Sequence, residues 1–151
     1  MITVAMSTTV SADRGRVWRA LTEPAELIRW DESLVTLLFN SDDRPQPGRS
    51  TRWRYRLGAT TIDMRNELLE VIPGEFLRSA TAIGLFRFGE SYSLSTEVGD
   101  TDRTRLHHKL VAENSLPVVG GLLDRFAIRR IAAGIIDTKL RSLQKWCENQ
   151  P

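Results

Sequence analysis

A chain of 151 residues with 41% hydrophobic and 26% charged side chains has the composition of an ordinary folded protein, which excludes disordered and fibrous classes. Its formal charge of +2 is too small to argue for nucleic acid, and no apolar run approaches the roughly 20 residues that cross a bilayer. The single cysteine, Cys147, cannot form an internal disulfide, which suits a reducing compartment.

The length fits one domain spanning residues 1–151. Ile2 to Val10 is rich in β-branched residues and reads as a first strand, with neither the charged start nor the small-residue cleavage site of a signal peptide. The cytoplasm is therefore the expected location. Ser11 and Asp13 offer caps for a short helix with Val17, Trp18 and Leu21 on its apolar side. Thr22-Glu23-Pro24 reads as a break and restart, since proline suits the first turn of a helix; a second short helix carries Leu27, Ile28 and Trp30. Ser33 to Phe39 follows as an apolar strand, then a polar loop from Asn40 to Arg49.

The segment Thr51 to Val71 is the most informative. Arg52, Arg54 and Arg56 alternate with Trp53, Tyr55 and Leu57, the period of a half-buried strand. Gly58-Ala59 fits a two-residue hairpin turn with glycine first. That turn sets Tyr55 opposite Ile62, Trp53 opposite Met64 and Thr51 opposite Asn66. On the other face Arg54 meets Asp63, and Arg52 faces Arg65 with Glu67 diagonal to it. One face is aromatic and aliphatic; the other is a charge lattice.

Pro73-Gly74 marks the next turn and Phe76 to Ile83 the next strand. Phe86 to Val98 places Phe86, Phe88, Glu90, Tyr92 and Leu94 on one parity. Gly99 to Arg103 reads as a polar turn, and Thr104 to Ala112 as a last strand with Leu106, His108 and Leu110 on one face. A single bulge would exchange the faces of these strands. From Pro117 to Trp146 the chain reads as helix, with Ile128, Ala132, Ile135, Leu143 and Trp146 on the apolar side. Val119, Leu122, Leu123 and Phe126 continue onto the side that later becomes polar. Either a break near Gly120-Gly121 or Ala127, or a different apolar surface for the first turns, would resolve this.

Thr9-Val10-Ser11-Ala12, then Val17-Trp18-Arg19-Ala20-Leu21-Thr22 and Trp30, resemble the opening of the SRPBCC superfamily, which includes START-like and polyketide cyclase/dehydrase-like proteins. Glu70-Val71-Ile72-Pro73-Gly74 and the closing Leu140 to Trp146 helix are similar to the same group. The resemblance implies an α+β helix-grip fold: a curved seven-stranded antiparallel sheet, two short helices after the first strand, and a long C-terminal helix over a deep cavity. It implies binding of a small hydrophobic molecule such as a lipid or polyketide, with no shared catalytic motif to carry over.

On the residues themselves, Trp53, Tyr55, Met64 and Phe88 read as an apolar wall, either plain core or pocket lining. Asn66, Glu90 and His108 are polar groups on apolar faces, and burial would push the Glu90 carboxyl upward toward a usable acid. Glu90 with Tyr92 or His108 could then transfer protons in a cyclase- or dehydrase-type reaction. The bland alternative leaves Glu90 in solvent and His108 a satisfied core histidine. Leu122 and Phe126, beside Arg125, Arg129 and Arg130, read as packing, as a pocket wall, or as a basic-apolar patch for an anionic lipid surface, for a partner subunit such as a second copy in a homodimer, or for the acidic head of a ligand. The arginine rows read as a solvated, paired face rather than a nucleic-acid surface. His107 and His108 are adjacent in a strand and point to opposite faces, so no metal is expected. No dinucleotide or phosphate-loop fingerprint occurs, and no cofactor is expected.

Overall fold

The protein is described by a computed structural model covering residues 2–112 and 125–149. Two short helices follow the first strand (β1, Ile2–Val10): α1 (Arg14–Thr22) and α2 (Pro24–Trp30). The Asp13 side chain accepts from the Arg16 amide at 2.7 Å and so caps α1, while Pro24 opens α2. The remaining strands are β2 (Leu34–Asn40), β3 (Ser50–Leu57), β4 (Thr60–Ile72), β5 (Phe76–Ile83), β6 (Phe86–Glu97) and β7 (Asp100–Ala112), and helix α3 (Arg125–Glu148) follows.

Among the described residues the strands form one curved antiparallel sheet in the order β1-β7-β6-β5-β4-β3-β2. Each neighbour pair except β1–β7 is adjacent in sequence, so a meander of hairpins is closed by the first strand returning to the last. The fold is the helix grip, with α3 packed against β1 and α1. Both the sheet's inner face and the helix have an apolar side to bury, and each covers the other.

The β3–β4 hairpin has the register that its alternation demands. Trp53 pairs with Met64, Tyr55 with Ile62, Thr51 with Asn66, Arg54 with Asp63 and Arg52 with Arg65. Gly58 takes φ +62°, a conformation that suits glycine at the first turn position. The Arg54–Asp63 ion pair spans 3.2 Å on the exposed face.

In β4 the register shifts between Leu68 and Glu70. That bulge turns Leu69 to solvent and swings Val71 back to the inner side. From Phe88 to Leu94 in β6, and throughout the paired part of β7, the inner parity is unbroken. Leu77, Ser79, Thr81, Ile83, Glu90, Tyr92, Leu94, Thr104, Leu106, His108 and Leu110 are all buried.

Three expectations need correction. Residues Asp100 to Arg103 are strand rather than turn, because Val98-Gly99 alone makes the bend; their exposure on both faces hides the alternation. The buried side of α3 runs through Ile136, Leu140, Leu143 and Cys147, whereas Ile135 is 47% exposed. And α3 passes through Ala127 without a break. Gly120-Gly121 and Leu122 lie outside the described residues.

Candidate functional site

The inner face of the sheet is not uniformly apolar. Thr51, Asn66, Thr81, Glu90 and His108 come from five consecutive strands, β3 to β7, and form a polar line across it. Asn66 stands directly opposite Thr81, and its amide donates to the Thr81 hydroxyl at 2.9 Å. Thr81 in turn donates to Glu90 Oε2 at 3.3 Å. The other carboxylate oxygen accepts from His108 Nε2 and from Lys139 Nζ of α3, each at 3.2 Å. At the far end of the line the Trp53 indole donates to the Thr51 hydroxyl at 3.1 Å.

Register explains the convergence. Glu90 faces Leu110 on β7 and Ser79 on β5, so His108 and Thr81 are its diagonal neighbours on the inner face. Tyr92 lies directly opposite His108, and the two rings stack with centroids 4.2 Å apart and planes 8° from parallel. Lys139 Nζ stands 5.8 Å from the Tyr92 ring centre.

The electrostatics reverse the expected upward shift of Glu90. Burial does push its carboxyl upward, but the Lys139 ammonium and the His108 hydrogen bond outweigh it. Glu90 is held well below the usual carboxylate range and remains ionised. It is therefore not a neutral acid near pH 7. Burial would lower Lys139, yet the facing Glu90, with Tyr92 and Asp31, raises it well above its ordinary value.

His108 is lowered by burial, which the adjacent Glu90 only partly offsets, so its imidazole is neutral. A neutral ring that donates from Nε2 carries its lone pair on Nδ1, and Nδ1 has no hydrogen-bond partner among the described residues. Burial raises the Tyr92 phenol beyond the range in which it could ionise.

A scan against family models decides the relationship: the model described as "Polyketide cyclase / dehydrase and lipid transport" matches residues 1–148. The chain belongs to that family. No curated protein matches it. Solved structures resemble it in fold. A START superfamily protein from Mycobacterium smegmatis superposes with a TM-score of 0.73 at 16% identity, covering 97% of both chains. TTHA0849 from Thermus thermophilus gives 0.73 at 19% identity, again over 97% of each. DynU16, from the dynemicin biosynthetic locus, gives 0.68 at 19% identity over 97% of this chain and 47% of its own.

For this member of the family, the structure brings most of the expected residues to one face. Trp53, Glu90, Tyr92 and His108 are buried there, and Tyr55, Met64, Asn66 and Phe88 are half-buried beside them. Leu122 and the side chain of Phe126 lie outside the described part. Sequence reasoning missed Lys139, Thr81 and Arg49. Lys139 flanks the apolar side of a helix, where a lysine ordinarily reaches solvent. Arg49 ends a polar loop, and only the continuation of the β3 register turns it inward. His107, on the outer face, bonds Ser7 at 2.7 Å and takes no part.

Proposed function

We propose that the protein binds a small, largely apolar molecule of lipid or polyketide type against the inner face of the sheet. The observation that carries this reading is the polar line from Thr51 to His108, buried except at half-buried Asn66 and set among Trp53, Tyr55, Met64 and Phe88. A face that serves only to pack a helix gains nothing from a row of desolvated polar groups, whereas ligand sites combine apolar walls with a few fixed polar ones. The family description, which joins polyketide chemistry and lipid transport, points the same way. Residues 53, 55, 64, 66, 88, 90, 92 and 108 form the proposed lining, with Leu122 and Phe126 as further proposed contributors.

Native mass spectrometry of protein isolated from its own host tests the reading. A retained small molecule, lost in Trp53→Ala and in Met64→Arg while both variants keep the fold by circular dichroism, is the expected result. Bare protein across hosts, together with no enhancement of a hydrophobic fluorophore that Met64→Arg would diminish, would end it.

One observation favours a second reading, a proton-transferring enzyme. The unpartnered Nδ1 of His108, with ionised Glu90 fixing the tautomer behind it, is arranged as a hydrogen-bond acceptor or base for a ligand hydroxyl or enol. In that reading Glu90 and Lys139 are positioning residues. Turnover of a candidate polyketide should fall on His108→Gln far more than on Tyr92→Phe; equal activity in both variants would remove His108 from the chemistry.

A further inference from the structure

Arg49 immediately precedes β3. Its carbonyl accepts from the Leu68 amide at 2.9 Å, and the Leu68 carbonyl accepts from Gly48 at 2.8 Å, so the β3–β4 ladder extends one position beyond the strand. Ser50 pairs with Glu67, and the same register sets Arg49 opposite Leu68, whose side chain is buried on the inner face. Arg49 thus belongs to the inward row Arg49, Thr51, Trp53, Tyr55.

Arg49 is only 4% exposed. One guanidinium nitrogen, Nη1, donates to the Thr22 carbonyl at the end of α1 at 2.9 Å. Its Nε is buried and has no acceptor, and no carboxylate lies within ion-pair distance of it among the described residues. The carboxylates whose field reaches it are Asp42 and Asp43. Both are occupied in the preceding loop: Asp42 accepts from the Arg44 amide and from Gln46, and Asp43 from Asn40. A single carbonyl is a poor counterpart for a buried guanidinium, whose fork matches a carboxylate in two parallel hydrogen bonds.

Resting on the proposed binding role, we infer that the ligand is an amphipathic acid, whose carboxylate docks on Arg49 and whose apolar body lies along Thr51, Trp53 and Tyr55. From Arg49 to Tyr55 the strand spans about 20 Å at ~3.3 Å per residue, enough for a medium-length acyl or polyketide chain. The arginine supplies the positive counter-charge and donors for the carboxylate at one end, and the aromatic row supplies the walls.

Titration calorimetry on the full chain with dodecanoate, dodecanol and methyl dodecanoate, all as monomers at pH 8, tests this. The acid should bind at least about tenfold more tightly than the alcohol or ester, a preference that salt weakens little because the arginine is buried. Arg49→Gln should bring the ratio of acid to alcohol affinity to about one, and Arg49→Lys should keep part of it. Equal binding of all three to the unaltered protein would overturn the acid inference and leave the apolar site standing. Binding of none of them, with no displaceable hydrophobic fluorophore, would remove both. Should Arg49→Gln fail to fold, the head-group preference of the unaltered protein and its partial retention in Arg49→Lys still decide the matter.

Discussion

Replacing Lys139 by methionine keeps the length and the apolar stem of the side chain but removes the ammonium that faces Glu90. At 3.2 Å and an effective dielectric near 20, the lost attraction is about 5 kcal/mol gross. Breaking one partner from a buried pair usually costs ~3–5 kcal/mol. Because the Lys139 side chain is 24% exposed and His108 still donates to Glu90, the lower end applies, about 3 kcal/mol at pH 7. For a domain of this size that is roughly 6–12 °C in Tm.

The pH dependence is the sharper test. In the unaltered protein the Glu90 carboxyl is depressed, so its stabilisation is present above the ordinary carboxylate range and is lost only as pH falls toward the folded value. Without Lys139, either Glu90 or His108 takes up a proton on folding, and that proton binds more readily as pH falls. The deficit of Lys139→Met should therefore shrink between pH 7.5 and 4.5, by at most ~1.4 kcal/mol per pH unit. Urea unfolding followed by circular dichroism measures it, with Lys139→Met/Glu90→Gln as the control that recovers much of the loss. A deficit below about 1 kcal/mol at pH 7, or one that does not change with pH, would refute the buried-pair account.

Two neighbouring isoleucines should behave very differently. Ile136→Ala, at a fully buried position, should cost roughly 2–5 kcal/mol, while Ile135→Ala, at a half-exposed one, should stay within about 1 kcal/mol; equal costs would mean that α3 is rotated from the arrangement described. Cys147 is buried, and its thiol is pushed up to about 11 by desolvation, so a thiol-reactive disulfide reagent at pH 8 should label it only in denaturant. Complete labelling of the folded protein within minutes would contradict that burial.

The β3–β4 hairpin was legible in the sequence because two independent signals agree there: an alternation of period two and a glycine-first turn that sets the register. Inward placement of Glu90, Tyr92 and His108 was one of two open readings, because a single bulge would have exchanged the faces; the β6 register shift comes only after Thr96, so the parity holds. What escaped is tertiary. Nothing local shows that Lys139 on α3 will meet Glu90, 49 residues away, and that meeting reverses the direction in which burial alone moves the carboxyl. The side of α3 was misjudged because Ile135 and Ile136 both fit a helical stripe with Leu143. Leu140 and Cys147 decide between them. The apolar run of β2 lies on an edge strand with two register shifts, and Val35, Leu37, Leu38 and Phe39 are exposed. Hydrophobicity along a strand does not say whether it lies in the middle of a sheet.

The pairing of Ile2 with Ala112 has a consequence for how the chain reaches its native state. Each hairpin of the meander closes a short loop, but seating β1 means closing one of about a hundred residues, which costs roughly 2 kcal/mol more in entropy than a ten-residue closure. The first strand of the sheet must therefore wait for the seventh. Until it is seated, the outer rim of β7 offers unpaired amides and carbonyls to any passing chain.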